Sequence, residues 1–324
     1  MTVDGGAIRP RTLAWAGRHL RPGERITGAE PLHGGISAEM RRLTVSGPAG
    51  GVRHLVLRTF THPFFVEHAE DLLGREADAL DVLGAPDAPD ALAGRGVPAP
   101  ALVAADPAAA RCEYPSLLMT HLPGRTVFDD EELEARVRLL ARALVAIHAV
   151  RPARRPPAYE AWTTADTVVR PESADPAAWS AAIDVIGKPA PPFAGRFLHR
   201  DFHPGNVLFD LAGPRPRITG VVDWVQTSWG PADLDVAHCS TNLALLHGSS
   251  WGGRFAAEYE AAGGTLAATA PERRYWRLLD ALAFAGDLRD TARPWRQAGR
   301  ADLTTQAADA RLDAYVIDLM NAPN

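Results

Sequence analysis

Between residues 52 and 59 the chain alternates strictly. Val52, His54, Val56 and Arg58 fall on one side of a two-residue period, and Arg53, Leu55, Leu57 and Thr59 on the other. That period predicts a β-strand over 51–60. Strand-like stretches precede it at 26–32 and 38–46, after a short helix at 10–20. His33-Gly34-Gly35 and Gly47-Pro48-Ala49-Gly50-Gly51 supply the turns. From 64 to 83 the spacing becomes helical, with Leu72, Leu73, Glu76, Leu80 and Leu83 on one face. A Pro/Gly-rich stretch at 84–100 reads as loop, and apolar runs at 100–105 and 116–122 read as strands. Pro123-Gly124 then precedes a helix at 131–150, whose Leu133, Val137, Leu140, Leu144 and Ile147 form an apolar stripe. Pro-rich segments at 151–157 and 186–195 bracket a stretch expected to be irregular. Short strands follow near 206–210 and 217–222, and 233–321 is mostly helical by pattern. With no internal repeat, the order predicts an α+β protein of two lobes sharing a cleft. These are a sheet-rich N-terminal lobe over 1–119, a connector near 119–124 and a helix-rich C-terminal lobe over 120–324.

Composition narrows the possibilities. The 324 residues are 46% hydrophobic and 23% charged, with mean hydropathy −0.12, which suits a globular fold with a sizeable core. No apolar run is long enough for a membrane span. The opening MTVDGGAIRPRT lacks the apolar core of a secretory signal. Two cysteines far apart, Cys112 and Cys239, fit a reduced, cytoplasmic setting better than a disulfide or metal framework. A net charge of −5 and a pI near 6.1 argue against nucleic acid as a partner. Lys188 is the one lysine among 34 basic residues, so a site that ordinarily uses Lys is expected to carry Arg here.

The densest chemistry lies in His199-Arg200-Asp201-Phe202-His203-Pro204-Gly205-Asn206, followed by Val222-Asp223-Trp224. Phosphoryl transfer needs metal ions on the phosphates, a cation on the non-bridging oxygens and a carboxylate that positions the acceptor hydroxyl. Asp201 and Asn206 stand five apart around a Pro-Gly turn. Asn206 opens one apolar strand and Asp223 closes the next, so two oxygen ligands suited to Mg²⁺ are expected side by side.

His199-Arg200-Asp201 with Asn206 fits the kinase catalytic-loop pattern H-R-D-x-x-x-x-N. The Asp-Phe-His-Pro-Gly-Asn run, Asp223-Trp224, and the later Gly230-Pro231 and Asp235-Val236-Ala237 resemble the aminoglycoside phosphotransferase family more specifically. The likeness spans about residues 24 to 290. It implies a protein-kinase-like fold: a small antiparallel-sheet lobe with one main helix, and a larger, mostly helical lobe. It also implies ATP or GTP as donor, Mg²⁺, and a small-molecule hydroxyl as acceptor, an antibiotic or a metabolite. By this resemblance Asp201 is the catalytic base, Asn206 and Asp223 hold Mg²⁺, and His199 and Asp235 support the catalytic loop. Arg58 stands where the family has its phosphate-binding Lys, keeping the charge with a different geometry, and Glu76 is its helical partner. Gly34, Gly35 and Ser37 lie over the phosphates. Met119 lines the adenine pocket, and backbone groups of Thr120 and Leu122 hold the base. Family members usually carry Gly at the position of Arg200. The protein is expected to be a monomer or weak homodimer without membrane attachment.

Two other readings use the same residues. His199, Asp201 and His203 alternate in the manner of a metal-dependent hydrolase site. Arg58 in place of Lys suits a nucleotide-binding pseudokinase, although Asp201, Asn206 and Asp223 are all intact. A protein kinase is disfavoured, since no activation segment with its Ala-Pro-Glu anchor follows Asp223. The acceptor is less legible. Residues 239–324 hold ten acidic residues against nine Arg, which gives no bulk acidity for a polycation. Most of Trp162, Trp179, Trp251, Trp276 and Trp295 are expected to be packing residues.

Overall fold

The computed structural model describes residues 9–32, 38–84, 96–286 and 288–323. Two compact units make up the chain. The first lies within Met1–Asp90 and Pro98–Pro123 together with Val222–Gln226; the second lies within Ala91–Val97, Gly124–Val221 and Thr227–Asn324.

The first unit is built on helix α1 (Pro10–Arg18) and strands β1 (Arg25–Pro31), β2 (Glu39–Ser46) and β3 (Val52–Thr59). Helices α2 (Pro63–Glu67) and α3 (Ala69–Gly84) and strands β4 (Leu102–Asp106) and β5 (Ser116–Thr120) complete it. The strands form one antiparallel sheet in the order β1-β2-β3-β5-β4. Alternation in β2 buries Leu43 and Val45, and these pack with Trp15 and Ala16 of α1 and with Leu55, Leu57 and Leu118. The central strand β3 is buried continuously from Leu55 to Thr59, as expected of a strand covered on both sides. Arg58 is therefore presented from a rigid element. The helix expected over 64–83 is interrupted at His68, and α3 buries Leu72, Leu73, Glu76, Leu80 and Leu83 on the predicted face.

In the second unit the predicted stripe of α4 (Leu133–Ala149) is buried throughout. Strands β6 (Gly195–Leu198) and β9 (Ser228–Pro231) form one antiparallel pair, and β7 (Val207–Asp210) and β8 (Arg217–Val221) form another. Helices α6 (Ala232–His247), α7 (Ser249–Ala261), α8 (Ala270–Ala283), α9 (Leu288–Gln297) and α10 (Thr305–Asn321) follow. Helix α6 is buried at every position from Ala232 to Leu246. Such a helix must satisfy its polar side chains internally. The core packs Trp179, Trp276, Trp295 and Tyr315 with leucines of the helices, whereas Trp162 is 41% exposed.

One expectation fails. The stretch between 158 and 185 is not wholly irregular, because α5 occupies Pro176–Ile186. Asp175 caps it by accepting the Ala178 N–H at 2.7 Å, Pro176 sits in the first turn where no donor is needed, and Trp179, Ala182 and Ile186 face the core. The surrounding prolines masked this start signal. Asp175→Ala is expected to lower unfolding stability by about 1 kcal/mol. Urea titration checks this, with an unchanged slope showing that the unfolded state is unaffected. The strands β6 and β9, four residues each, are likewise absent from the sequence pattern.

Candidate active site

The segment between β6 and β7 carries Asp201 and Asn206, and a single 3₁₀ turn at Pro204–Asn206 shapes it. The N–H of Gly205 donates to His203 Nδ1 at 3.2 Å. Asn206 Nδ2 donates to both the backbone carbonyl and Oδ2 of Asp201, each at 2.9 Å. With its nitrogen committed inward, the amide of Asn206 keeps its oxygen available.

The other Asp201 oxygen meets a residue that the sequence did not single out. His238 Nε2 on α6 donates to Asp201 Oδ1 at 3.0 Å, and its Nδ1 donates to Asp280 Oδ1 on α8 at 3.0 Å. Thr241 Oγ1 fixes the second Asp280 oxygen at 2.7 Å. Phe284 stacks on the imidazole, and Trp162 meets it edge-on. A nitrogen donating to each of two carboxylates makes this ring an imidazolium. Burial alone would lower its pKa; Asp280 and Asp201 outweigh that and push it up to about 9. Burial would raise Asp201, yet His203 and His238 hold its carboxyl well below the usual carboxylate range. The signal that could have found His238 is a polar side chain three residues after Asp235, within a helix that has no exposed face.

Asp235 anchors the same loop by its backbone. The N–H of Arg200 donates to Oδ1 at 2.7 Å, and the N–H of His199 donates to Oδ2 at 2.9 Å. His148 Nε2 adds a third contact at 3.1 Å and touches Tyr259 through Nδ1 at 2.7 Å. Despite burial, the His148 and His199 contacts hold Asp235 below its ordinary pKa. Arg200 itself has φ of 72°. That left-handed conformation costs a side-chain-bearing residue about 1–2 kcal/mol and costs Gly nothing. Here the guanidinium is buried face-on against the Trp162 indole, 3.7 Å from the ring centre, an arrangement that offsets the strain.

The hydrolase constellation is not the one expected. His199 is fully buried, and its Nδ1 accepts the Asp201 N–H at 3.3 Å. The described residues instead group Asp201 with His203 and His238, whose potential ligand atoms lie within 4.8 Å of one another. Both His238 nitrogens already donate to carboxylates and His203 Nδ1 already accepts a backbone N–H, so the cluster closes as a hydrogen-bond network.

In the first unit, Arg58 Nη1 donates to Glu76 Oε2 at 2.9 Å and to Asp223 Oδ1 at 2.8 Å. The N–H of Trp224 donates to the other Glu76 oxygen at 3.3 Å. Burial raises Glu76 to about 6, with Arg58 pulling against it. Burial would lower Arg58, but Asp223 and Glu76 together raise it. Met119 is buried on β5, opposite Val56 and Leu102. The N–H of Thr120 is taken by the Ala101 carbonyl at 3.0 Å, so of its backbone groups only the carbonyl suits a nucleobase. Leu122 is half-buried just past that strand. Gly34, Gly35 and Ser37 lie outside the described residues.

The His238 charge has a consequence for stability. Its folded pKa, near 9, lies above the ordinary value of 6.5, so the contribution is complete below about pH 6.5 and is lost as pH rises through 9. Thermal unfolding is expected at a lower temperature at pH 9.5 than at pH 7, with His238→Gln reducing that difference.

The family model for the phosphotransferase enzyme family matches residues 28–279. The chain belongs to that family. No curated protein matches the sequence. Three solved structures of phosphotransferases show the same fold. One, a candidate aminoglycoside phosphotransferase from Ralstonia eutropha, has a TM-score of 0.61 at 17% identity, covering 96% of each chain. A thermostable variant of aminoglycoside phosphotransferase APH(4)-Ia, solved with AMP-PNP and hygromycin B, has a TM-score of 0.58 at 20% identity, covering 93% of this chain and 97% of that one. Macrolide 2'-phosphotransferase MphH from Brachybacterium faecium has a TM-score of 0.54 at 16% identity, covering 97% and 98%. An antiparallel-sheet unit and a helical unit are thus the phosphotransferase architecture. Among the described residues no helix is long and apolar enough to cross a membrane.

Proposed function

We propose that this phosphotransferase transfers the γ-phosphoryl group of ATP, or of GTP, to a hydroxyl of a small molecule in the cytoplasm. The observation that carries the reading is the setting of Asp201: a carboxylate with a hydrogen-bond donor on each oxygen, on a loop tied to a buried helix. In this role Asp201 orients the acceptor hydroxyl and takes its proton as the oxygen attacks phosphorus and the nucleoside diphosphate leaves.

The donor set fits Mg²⁺. Asn206 offers its amide oxygen, since its nitrogen is committed to Asp201, and Asp223 offers the oxygen that Arg58 leaves unused. Both are hard oxygen ligands. A bound Mg²⁺ neutralises charge developing on the phosphates. Arg58, held by Glu76, is the cation for the phosphate oxygens. Met119 and the backbone of Thr120 and Leu122 receive the nucleobase, through the carbonyl in the case of Thr120.

The structural relatives act on or bind antibiotics, hygromycin B and macrolides among them, so the acceptor is sought first among antibiotic hydroxyls and then among metabolites. The test incubates the protein with Mg-ATP or Mg-GTP and a panel of aminoglycosides, macrolides, peptide antibiotics, choline, homoserine and sugars. A product heavier by one phosphoryl group, absent with Asp201→Ala, is the expected result. Nucleotide binding without transfer or hydrolysis would replace this reading with a regulatory pseudokinase.

A further inference from the structure

We infer that His238, backed by Asp280, is a positioning residue for phosphoryl transfer, orienting the carboxylate of Asp201. The inference rests on the phosphotransferase reading of Asp201 and extends it to two residues from helices outside the catalytic loop. A carboxylate on a loop has a broad terminal torsion. Here Asn206 fixes Oδ2 and His238 fixes Oδ1, so the carboxylate plane is set from two sides.

His238 is itself over-determined. Its Nδ1–H is held by Asp280, whose second oxygen is held by Thr241 one turn along α6, and its ring face lies against Phe284. The chain Thr241–Asp280–His238–Asp201 thus runs from two buried helices to the base. It has the form of an orienting carboxylate behind an imidazole, which fixes both ring direction and protonation at the working group. A purely structural role would need neither a donor aimed at Asp201 nor a second buried carboxylate on the far nitrogen, because burying two anions around one ring is costly unless the geometry is used. His238 and Asp280 touch no reacting atom in this scheme; they act through Asp201.

The test compares wild type, His238→Ala and His238→Gln in steady-state ATP turnover, with water and with any acceptor the panel yields. His238→Ala is expected to lower kcat about 100-fold, the scale of a small misplacement of a catalytic group, while KM for Mg-ATP stays within about twofold. Gln, which restores a donor to Asp201, and added imidazole with the Ala variant, are each expected to recover part of the loss. A folded His238→Ala enzyme with wild-type kcat overturns the proposal, as does a loss confined to KM. Should the Ala variant not fold, the Gln variant and NMR decide. In wild type both imidazole N–H protons of His238 should be protected, and Asp201→Asn should shift or abolish the Nε2–H signal while leaving the Nδ1–H in place. No change in the Nε2–H signal overturns the proposal. A wild-type protein that turns over no ATP would sink the phosphotransferase reading instead, and the NMR comparison would still decide whether His238 holds Asp201.

Discussion

Replacing Asp201 is expected to lower phosphoryl transfer by about 10²- to 10⁴-fold, the range a positioned proton acceptor contributes. Two variants separate the causes. Asp201→Ala removes the carboxylate and leaves the Asn206 amide and the His238 imidazolium facing a gap. Asp201→Asn preserves shape but cannot satisfy both neighbours, because donors approach both oxygens. If the new amide oxygen faces Asn206, its nitrogen faces the His238 Nε2–H, and two donors collide. The imidazole relieves this by giving up its proton, so Asp201→Asn should also move the pH-dependent loss of stability to lower pH. Turnover assays with product mass, and thermal unfolding across pH 6 to 10, read the two effects separately. Unchanged KM for Mg-ATP in both variants would place the defect at the acceptor side. Wild-type turnover in either would remove Asp201 from the mechanism.

The sequence made the loop from His199 to Asn206 legible because its pattern is local. Asp201 and Asn206 lie within one short turn, and their spacing carries the geometry with it. The partners that hold the loop are another matter. His238 is 37 residues from Asp201 and Asp280 is 42 residues beyond His238. Each is an ordinary polar residue on a helix whose period predicts packing but not partners. Arg58 and Glu76 are paired by the family resemblance, on a strand and a helix with clear periods, and the structure brings them into contact. The contact of Arg58 with Asp223 spans 165 positions and no local pattern encodes it. Helix α5 is hidden by the Pro-rich segments that flank it, although Asp175-Pro176 is a start signal. Arg200 is not interpretable from the pattern alone, because its backbone angle, which suits Gly, and the indole of Trp162 that supports Arg there are features of the folded chain.

Asp235→Ala is expected to be the most damaging single change to stability, costing about 3–5 kcal/mol. That is a large share of the roughly 5–15 kcal/mol that holds a typical domain folded. Asp235 is fully buried, and its removal orphans the N–H groups of His199 and Arg200 together with His148 Nε2. The helix is buried along nearly its whole length, so water is a poor substitute for the lost carboxylate. Asp235→Asn should cost less, about 1–3 kcal/mol, because one amide oxygen still accepts while the amide nitrogen meets a donor. Denaturant midpoints measure both, and turnover below the midpoint shows whether the loop has shifted in the folded protein. The arrangement makes a sharper demand. Asp235 holds the loop by its backbone, and His238, three residues further along α6, holds it by the Asp201 side chain. Two ties from one helix to one loop should be coupled, so the kinetic losses of Asp235→Asn and His238→Gln should combine non-additively, by about 0.5–3 kcal/mol. Strict additivity would mean that the two residues act on the loop independently, and would separate the backbone anchor from the positioning of the base.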